Sequence, residues 1–222
     1  MTILFVLLTF LVIMSITYYT RQGHAPEVRP QPLAYASPAT PRLSRDYGFE
    51  VPQGYCFHPG HTWVLDEGRQ NARIGMDSFA ANLLGKVERV EVAGLNRWVR
   101  QGQKVWSATI DGATVDMVSP VEGVIIAVNS DVLRDPSLLN KDPYKDGWIA
   151  VIKSPDLSTN VNNLVRGTFV GPWMQNSLRR VTAMTAQAAG ATAQDGGVPI
   201  SGLLTHVEPG VRQQLVKEFF LT

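Results

Sequence analysis

The sequence is poor in cysteine and in charged residues, and both shortages exclude classes of protein. Cys56 is the single cysteine among 222 residues, so no disulfide can form within the chain. Only 18% of the residues are charged and the net charge is +1. No basic stripe is interleaved with aromatic residues, which argues against a nucleic-acid partner. Rossmann, P-loop, zinc-protease and kinase motifs are absent as well, so the sequence does not predict an independent enzyme.

A long apolar run is present at the N-terminus. Residues 2–19 contain no charged side chain, and a run of about 18 apolar residues reaches the lower range of a membrane-spanning helix. The sequence therefore predicts a transmembrane helix over residues 1–20, with residues 2–19 in the lipid bilayer. No basic residue precedes the run, which argues against a cleaved signal peptide. Arg21 and Arg29 follow it and favour a single-pass protein of the cell (inner) membrane with a cytoplasmic body, while a periplasmic body stays open.

Composition divides the remainder of the chain into three segments. Residues 21–47 contain five prolines and no apolar period, which is typical of an extended tether. Residues 48–165 hold short apolar runs bounded by Gly, Pro, Asn and Asp, and they predict one mainly β domain. Residues 166–222 predict a helical extension, because their apolar residues recur at helical spacing. Its apolar side chains need a cover, so Trp173, Phe219 and Phe220 are candidate partner contacts.

A tight β-hairpin is predicted around Asp111 and Gly112. Apolar residues alternate along both strands, at positions 106, 108 and 110 before the turn and at 113, 115 and 117 after it. Asp-Gly is a favoured two-residue turn because glycine accepts positive φ. Such a turn is common and carries no chemistry by itself.

The context of this hairpin resembles a known family. The resemblance rests on His61-Thr62-Trp63-Val64, residues 72–85, Ser119-Pro120-Val121 with Gly123, and residues 135–148. In order and spacing these motifs are similar to the H protein of the glycine cleavage system, a member of the lipoyl/biotinyl carrier superfamily. The resemblance implies a mainly β, lipoyl-domain-like flattened β-barrel or sandwich of the hammerhead type. The sequence patterns described above add an N-terminal transmembrane helix and a C-terminal helical extension to this fold.

The same resemblance indicates a missing functional group. In the family, a lysine at the hairpin tip is acylated with lipoate, and the resulting arm carries a methylamine group between partner enzymes. The family's Asp-Lys-Ala turn aligns with Asp111, Gly112 and Ala113, so glycine stands at the lysine position. Glycine has no side chain to acylate. We therefore expect the carrier fold without lipoate and without another cofactor.

Three functions follow from these features. The favoured one is a non-lipoylated, membrane-anchored accessory subunit that docks with other protein subunits of a larger membrane complex, for which a redox assembly is one option. The second is an active carrier acylated at another lysine, Lys104 being the nearest in sequence. The third is a small metal-binding redox subunit that uses Cys56, His58 and His61. Three ligands do not close a structural metal site, so packing is the stronger interpretation for this group.

Overall fold

The computed structural model describes residues 11–15, 43–46, 49–189 and 202–221. Backbone contacts divide the chain into two compact units, residues 1–35 and residues 36–222. The second unit contains both the predicted β domain and the C-terminal extension.

The predicted membrane span falls almost entirely outside the described residues. Residues 11–15 are helical and their side chains are exposed, whereas the other residues of the span 1–20 are not described. Within the described ranges, no helix is both long and apolar enough to cross a membrane. Most of the predicted tether, residues 21–47, likewise lies outside the described part. Its described residues, Leu43–Asp46, form a β-strand instead of an extended linker.

Eleven strands and seven helices follow residues 11–15 in the described part of the chain. The strands are β1 (Leu43–Asp46), β2 (Phe49–Pro52), β3 (Tyr55–Phe57), β4 (Thr62–Asp66), β5 (Asn71–Met76), β6 (Arg89–Val92), β7 (Trp98–Val99), β8 (Lys104–Ile110), β9 (Ala113–Val118), β10 (Gly123–Val128) and β11 (Trp148–Lys153). The helices are α1 (Ser78–Leu84), α2 (Ser130–Arg134), α3 (Leu138–Lys141), α4 (Leu157–Asn162), α5 (Val170–Ala189), α6 (Leu203–His206) and α7 (Pro209–Phe220), with a 3-10 turn at Gly167–Phe169.

The strands form three antiparallel sheets. The largest has the order β3-β4-β5-β11-β10-β7, a second has the order β6-β8-β9, and β1 pairs with β2. Ile74 and Ile125 from the largest sheet and Ala108 and Met117 from the second belong to one hydrophobic core, and each is fully buried. The prediction of a mainly β body is therefore confirmed for this region.

Local sequence signals account for the element that connects the two larger sheets. The Oδ1 atom of Asp77 accepts a hydrogen bond from the backbone N–H of Ala80 and caps α1. Gly85 ends the helix with φ 67°, a conformation that favours glycine. Between them, Phe79, Leu83 and Leu84 face the core. The cap and the terminator thus fix a two-turn helix at the start of the chain's crossing from β5 to β6.

Candidate functional site

The hairpin β8–β9 ends in the two-residue turn that the sequence predicts. Ile110 pairs with Ala113, which leaves Asp111 and Gly112 as the turn. Their φ angles are 47° and 69°, and two positive values define the turn that matches the twist of antiparallel strands. Aspartate tolerates this region better than most residues because its short side chain bonds locally. Both residues are exposed, so the tip is presented to solvent.

Gly112 sits in open space at the tip. A Cβ atom built there meets no other atom within 4 Å, so a side chain at this position would not clash with the chain. The positive φ still disfavours a side chain, by roughly 1–2 kcal/mol. Neighbouring atoms therefore leave room for a lysine side chain. The tip has no amine only because residue 112 is a glycine.

Lys104 lies at the opposite end of the hairpin. It is the first residue of β8 and pairs with Val118, the last residue of β9. Its Nζ atom is 2.5 Å from Oδ1 of Asp116. Asp111 is seven residue steps further along the strand, which is about 23 Å at about 3.3 Å per residue. Lys104 therefore cannot present an acyl arm from the tip.

The two histidines near β4 form a tight turn. The backbone N–H of His61 donates to the carbonyl of His58 at 2.9 Å, and His61 has a φ of 57°. The N–H of Gly60 donates to Nδ1 of His58 at 3.0 Å. Burial and the nearby His61 lower the pKa of His58 to about 4, since a protonated ring would lose this acceptor as well as its hydration.

This turn predicts a loss of stability in mild acid. A neutral His58 in the folded state contributes stability above pH 6.5 that is lost as the pH falls from 6.5 to about 4. We expect a loss of at most about 3 kcal/mol from this group. The control is His58→Asn, whose side-chain oxygen can accept from Gly60 without titrating. Urea unfolding at pH 7 and pH 4.5 should show a larger loss for the native chain, and equal losses would contradict the assignment.

His61 is enclosed beside a buried carboxylate. Its Nδ1 atom lies 2.7 Å from Oδ2 of Asp77, and the two side chains are 1% and 0% exposed. The imidazole stacks on Phe79 at 4.2 Å between ring centroids and on Trp173 at 4.6 Å. Because a carboxylate only accepts hydrogen bonds, Nδ1–H of His61 is the donor. The pair ties the start of β4 to the cap of α1.

The structure does not assemble Cys56, His58 and His61 into a ligand set. Nδ1 of His58 accepts from Gly60 and Nδ1 of His61 donates to Asp77. Cys56 is half-buried on β3, and burial raises the pKa of its thiol, which lowers the fraction of thiolate that binds metal. Across the described residues, no group of three His, Cys, Asp or Glu side chains could hold a metal ion.

The three aromatic residues of the extension contact the body of the same chain. Phe219 and Phe220 are 1% and 0% exposed, which corrects the expectation that they form a partner surface. Phe219 packs on Phe79 at 5.4 Å. Trp173 is half-buried and covers His61. The body itself therefore covers the apolar end of the chain, and a partner cannot reach either phenylalanine.

The extension also reaches the hairpin tip. Arg212, on the first turn of α7, places Nη2 3.5 Å from Oδ2 of Asp111. At the base of the hairpin, a Cβ on Gly60 would lie 2.9 Å from Cγ2 of Val118 and 3.4 Å from the carbonyl oxygen of Phe220. Sequence reasoning missed both contacts, since nothing in a linear pattern links positions 101 residues apart.

Comparison with known proteins gives consistent matches. The family model described as "Glycine cleavage H-protein" matches residues 55–176. The chain is 33% identical to the glycine cleavage system H protein of Idiomarina loihiensis over 115 residues, which is 52% of this chain and 88% of that protein. It is 36% identical to that of Aliivibrio fischeri over 102 residues, 46% of this chain and 81% of the relative.

A third relative and one solved structure extend the comparison. The H protein of Prochlorococcus marinus is 32% identical over 110 residues, 50% of this chain and 84% of its own length. The crystal structure of an H protein from Mycobacterium marinum superposes with a TM-score of 0.49 at 21% identity, and covers 57% of this chain and 98% of that one. The family match leaves residues 177–222 outside it.

Proposed function

This chain belongs to the glycine cleavage H-protein family, and we propose that it is a non-lipoylated member that serves as a docking subunit. In this proposal it is an accessory component of a larger membrane-associated complex, possesses no lipoyl arm, and is anchored through residues 2–19 with its body in the cytoplasm. The observation that carries the proposal is the hairpin tip, where Gly112 offers no amine.

The geometry of the tip supports loss of the carrier step alone. The turn keeps its register and exposure, and open space surrounds Gly112. A domain that presents this turn retains the surface by which carriers of this family are bound, according to the resemblance, while the acyl transfer has no nucleophile. A domain that partner proteins bind but that cannot be acylated functions as a docking module.

The two alternatives have less support. Lys104, the lysine considered for acylation in place of the tip, lies at the base of the hairpin and pairs with Asp116. Nδ1 of His58 accepts from Gly60 and Nδ1 of His61 donates to Asp77, and no group of three His, Cys, Asp or Glu side chains in the described residues could hold a metal ion. The position of Lys104 and the partners of the two histidines therefore favour the docking proposal over both alternatives.

The membrane anchor is supported by physical chemistry of the N-terminal run. Residues 2–19 are uncharged and mostly aliphatic or aromatic. In water, such a helix would expose apolar side chains on every face, which is unfavourable by about 25 cal/mol per Å². A bilayer covers all faces of the helix at once. Arg21 and Arg29 then favour the cytoplasmic side for the body.

One purification tests both parts of the proposal. Full-length protein from cells supplied with lipoate should stay in membranes washed with alkaline carbonate and dissolve only in detergent. Its intact mass should equal that of the unmodified polypeptide, because no lysine stands at the tip. Mass spectrometry of the detergent extract measures both fraction and modification.

A chain consisting of residues 21–222 is the matched control and should appear in the soluble fraction. Recovery of the full chain in the carbonate wash would contradict the anchor. A lipoyl group on the native protein would contradict the docking proposal, and its position in a peptide map would show whether Lys104 carries it.

A further inference from the structure

Helix α7 lies close to the hairpin β8–β9 at the tip and at the base. Its first turn is at the hairpin tip, where Arg212 meets Asp111. Its last residue is at the base, where the carbonyl of Phe220 and the side chain of Val118 both border Gly60. Strand β9 is an edge of the three-stranded sheet. The helix therefore lies beside the hairpin, next to its edge strand.

The extension approaches the body closely enough to require glycine at position 85. A Cβ on Gly85 would lie 2.3 Å from Cα of Gly202 and 2.8 Å from its backbone N. The N–H of Gly202 donates to the carbonyl of Asn82 at 2.8 Å. Gly202 itself has a φ of 79°. This backbone-to-backbone contact fixes where α6 and α7 begin.

Apolar burial holds the helix in place between its two ends. Leu204, Leu215, Phe219 and Phe220 are at most 1% exposed. Full burial of an aliphatic or aromatic side chain stabilises by about 1.5–3 kcal/mol, so these four outweigh the partly exposed Arg212–Asp111 pair, which is worth about 1 kcal/mol. The apolar contacts hold the helix, and the ion pair sets its position relative to the tip.

We infer that the segment Gly202–Leu221 is a built-in clamp that fastens hairpin β8–β9 to the body and holds its tip in one position. The segment is attached at α1, at the base of β9 and at the tip itself.

This inference extends the proposed function, since a fixed tip suits a docking subunit and not a moving carrier. The clamp and the proposed function can be tested separately. The mass of the native protein decides whether the chain is acylated, whereas the dynamics of the hairpin decide whether the clamp exists. Either result can fail while the other holds.

Hydrogen exchange of the full chain in detergent tests the clamp. Gly85→Ala places a methyl group against Gly202 and should detach the extension. We expect the amides of residues 109–118 and 203–220 to exchange at least tenfold faster together, while those of β4 and β5 keep their native rates. Gly68→Ala is the matched control, because Gly68 also has a positive φ, 79°, but has no atom within 4 Å of a built Cβ.

A second variant covers the case in which Gly85→Ala fails to fold. Arg212→Glu reverses the charge of one partner in a contact whose side chains are 20% and 63% exposed, and it should speed exchange at the tip, residues 109–114, without altering β4 and β5. If the extension exchanges faster in Gly85→Ala while residues 109–118 keep their native rate, the clamp is disproved. If Gly85→Ala does not fold and Arg212→Glu leaves the tip unchanged, it is disproved as well.

Discussion

A Gly112→Lys variant is expected to accept one lipoyl group per chain, whereas the native chain accepts none. The turn has the exposure that a ligase needs, and a side chain at this position meets no neighbouring atom. A lipoate–protein ligase joins lipoate to ATP as lipoyl-AMP and releases pyrophosphate. The new Nζ then attacks the acyl carbon, the C–O bond to AMP breaks, and an amide forms with release of AMP and a proton. Intact mass after exhaustive incubation should rise by one lipoyl group, and a peptide map should place it at residue 112.

The substitution carries a conformational cost that the experiment has to account for. A lysine at φ 69° should destabilise the fold by roughly 1–2 kcal/mol, which a domain with about 5–15 kcal/mol of stability tolerates. Gly112→Arg is the matched control, since it has the same strain and charge but no acylable amine. The Gly112→Lys, Gly85→Ala double variant separates two reasons for a negative result. If only the double variant is lipoylated, the clamp blocks the ligase; if neither is, the ligase does not recognise the turn. Absence of the lipoyl group in both lysine variants would show that the turn is not a degenerate carrier tip.

Local signals allowed the hairpin and α1 to be predicted from sequence. Asp111-Gly112 specifies a two-residue turn whatever surrounds it, because the φ angles it adopts exclude most other residues. Asp77 and Gly85 bracket α1 for a similarly local reason, a side-chain cap at one end and a positive φ at the other. In each case, the residues that determine the geometry are within a few positions of it.

The contacts that define the site could not be read in this way. His61 and Asp77 are 16 residues apart, and Arg212 and Asp111 are 101 apart. The sequence predicts Phe219 and Phe220 as a partner surface because it does not show what covers an apolar chain end. The cover is α1 and the His58–His61 turn of the same chain, and it depends on how the extension folds back.

The family match ends before the part of the extension that covers the hairpin. Residues 55–176 match the family model, and they contain the hairpin, α1 and the His61–Asp77 pair. Residues 203–220 lie outside the match. They form α6 and α7, which pack against the hairpin, α1 and the His61–Asp77 pair. The family resemblance could therefore specify the hairpin, but it contained no information about what covers its flank.

Replacement of Asp77 by Ala is expected to destabilise the folded state by about 3 kcal/mol or more. The change removes the cap of α1, which contributes about 0.5–2 kcal/mol. It also leaves Nδ1–H of His61 without its acceptor, and an unpaired buried donor costs about 1–3 kcal/mol. Stacking between Phe79 and Trp173 prevents the ring from turning toward water. Urea unfolding followed by tryptophan fluorescence measures the loss as a shift of the midpoint.

Two further variants separate the cap from the histidine contact. Asp77→Ser retains an oxygen that can cap α1 but does not reach His61, so it should recover the cap contribution alone. Asp77→Ala combined with His61→Phe removes the polar ring together with its acceptor, and it should be more stable than Asp77→Ala because no buried donor is left unpaired. If Asp77→Ala unfolds within 1 kcal/mol of the native chain, the carboxylate does not hold His61 in its stack. Trp173 would then be fixed by the apolar contacts of α5 alone, and the attachment of the extension to the body would rest on Phe219 and its neighbours rather than on this buried pair.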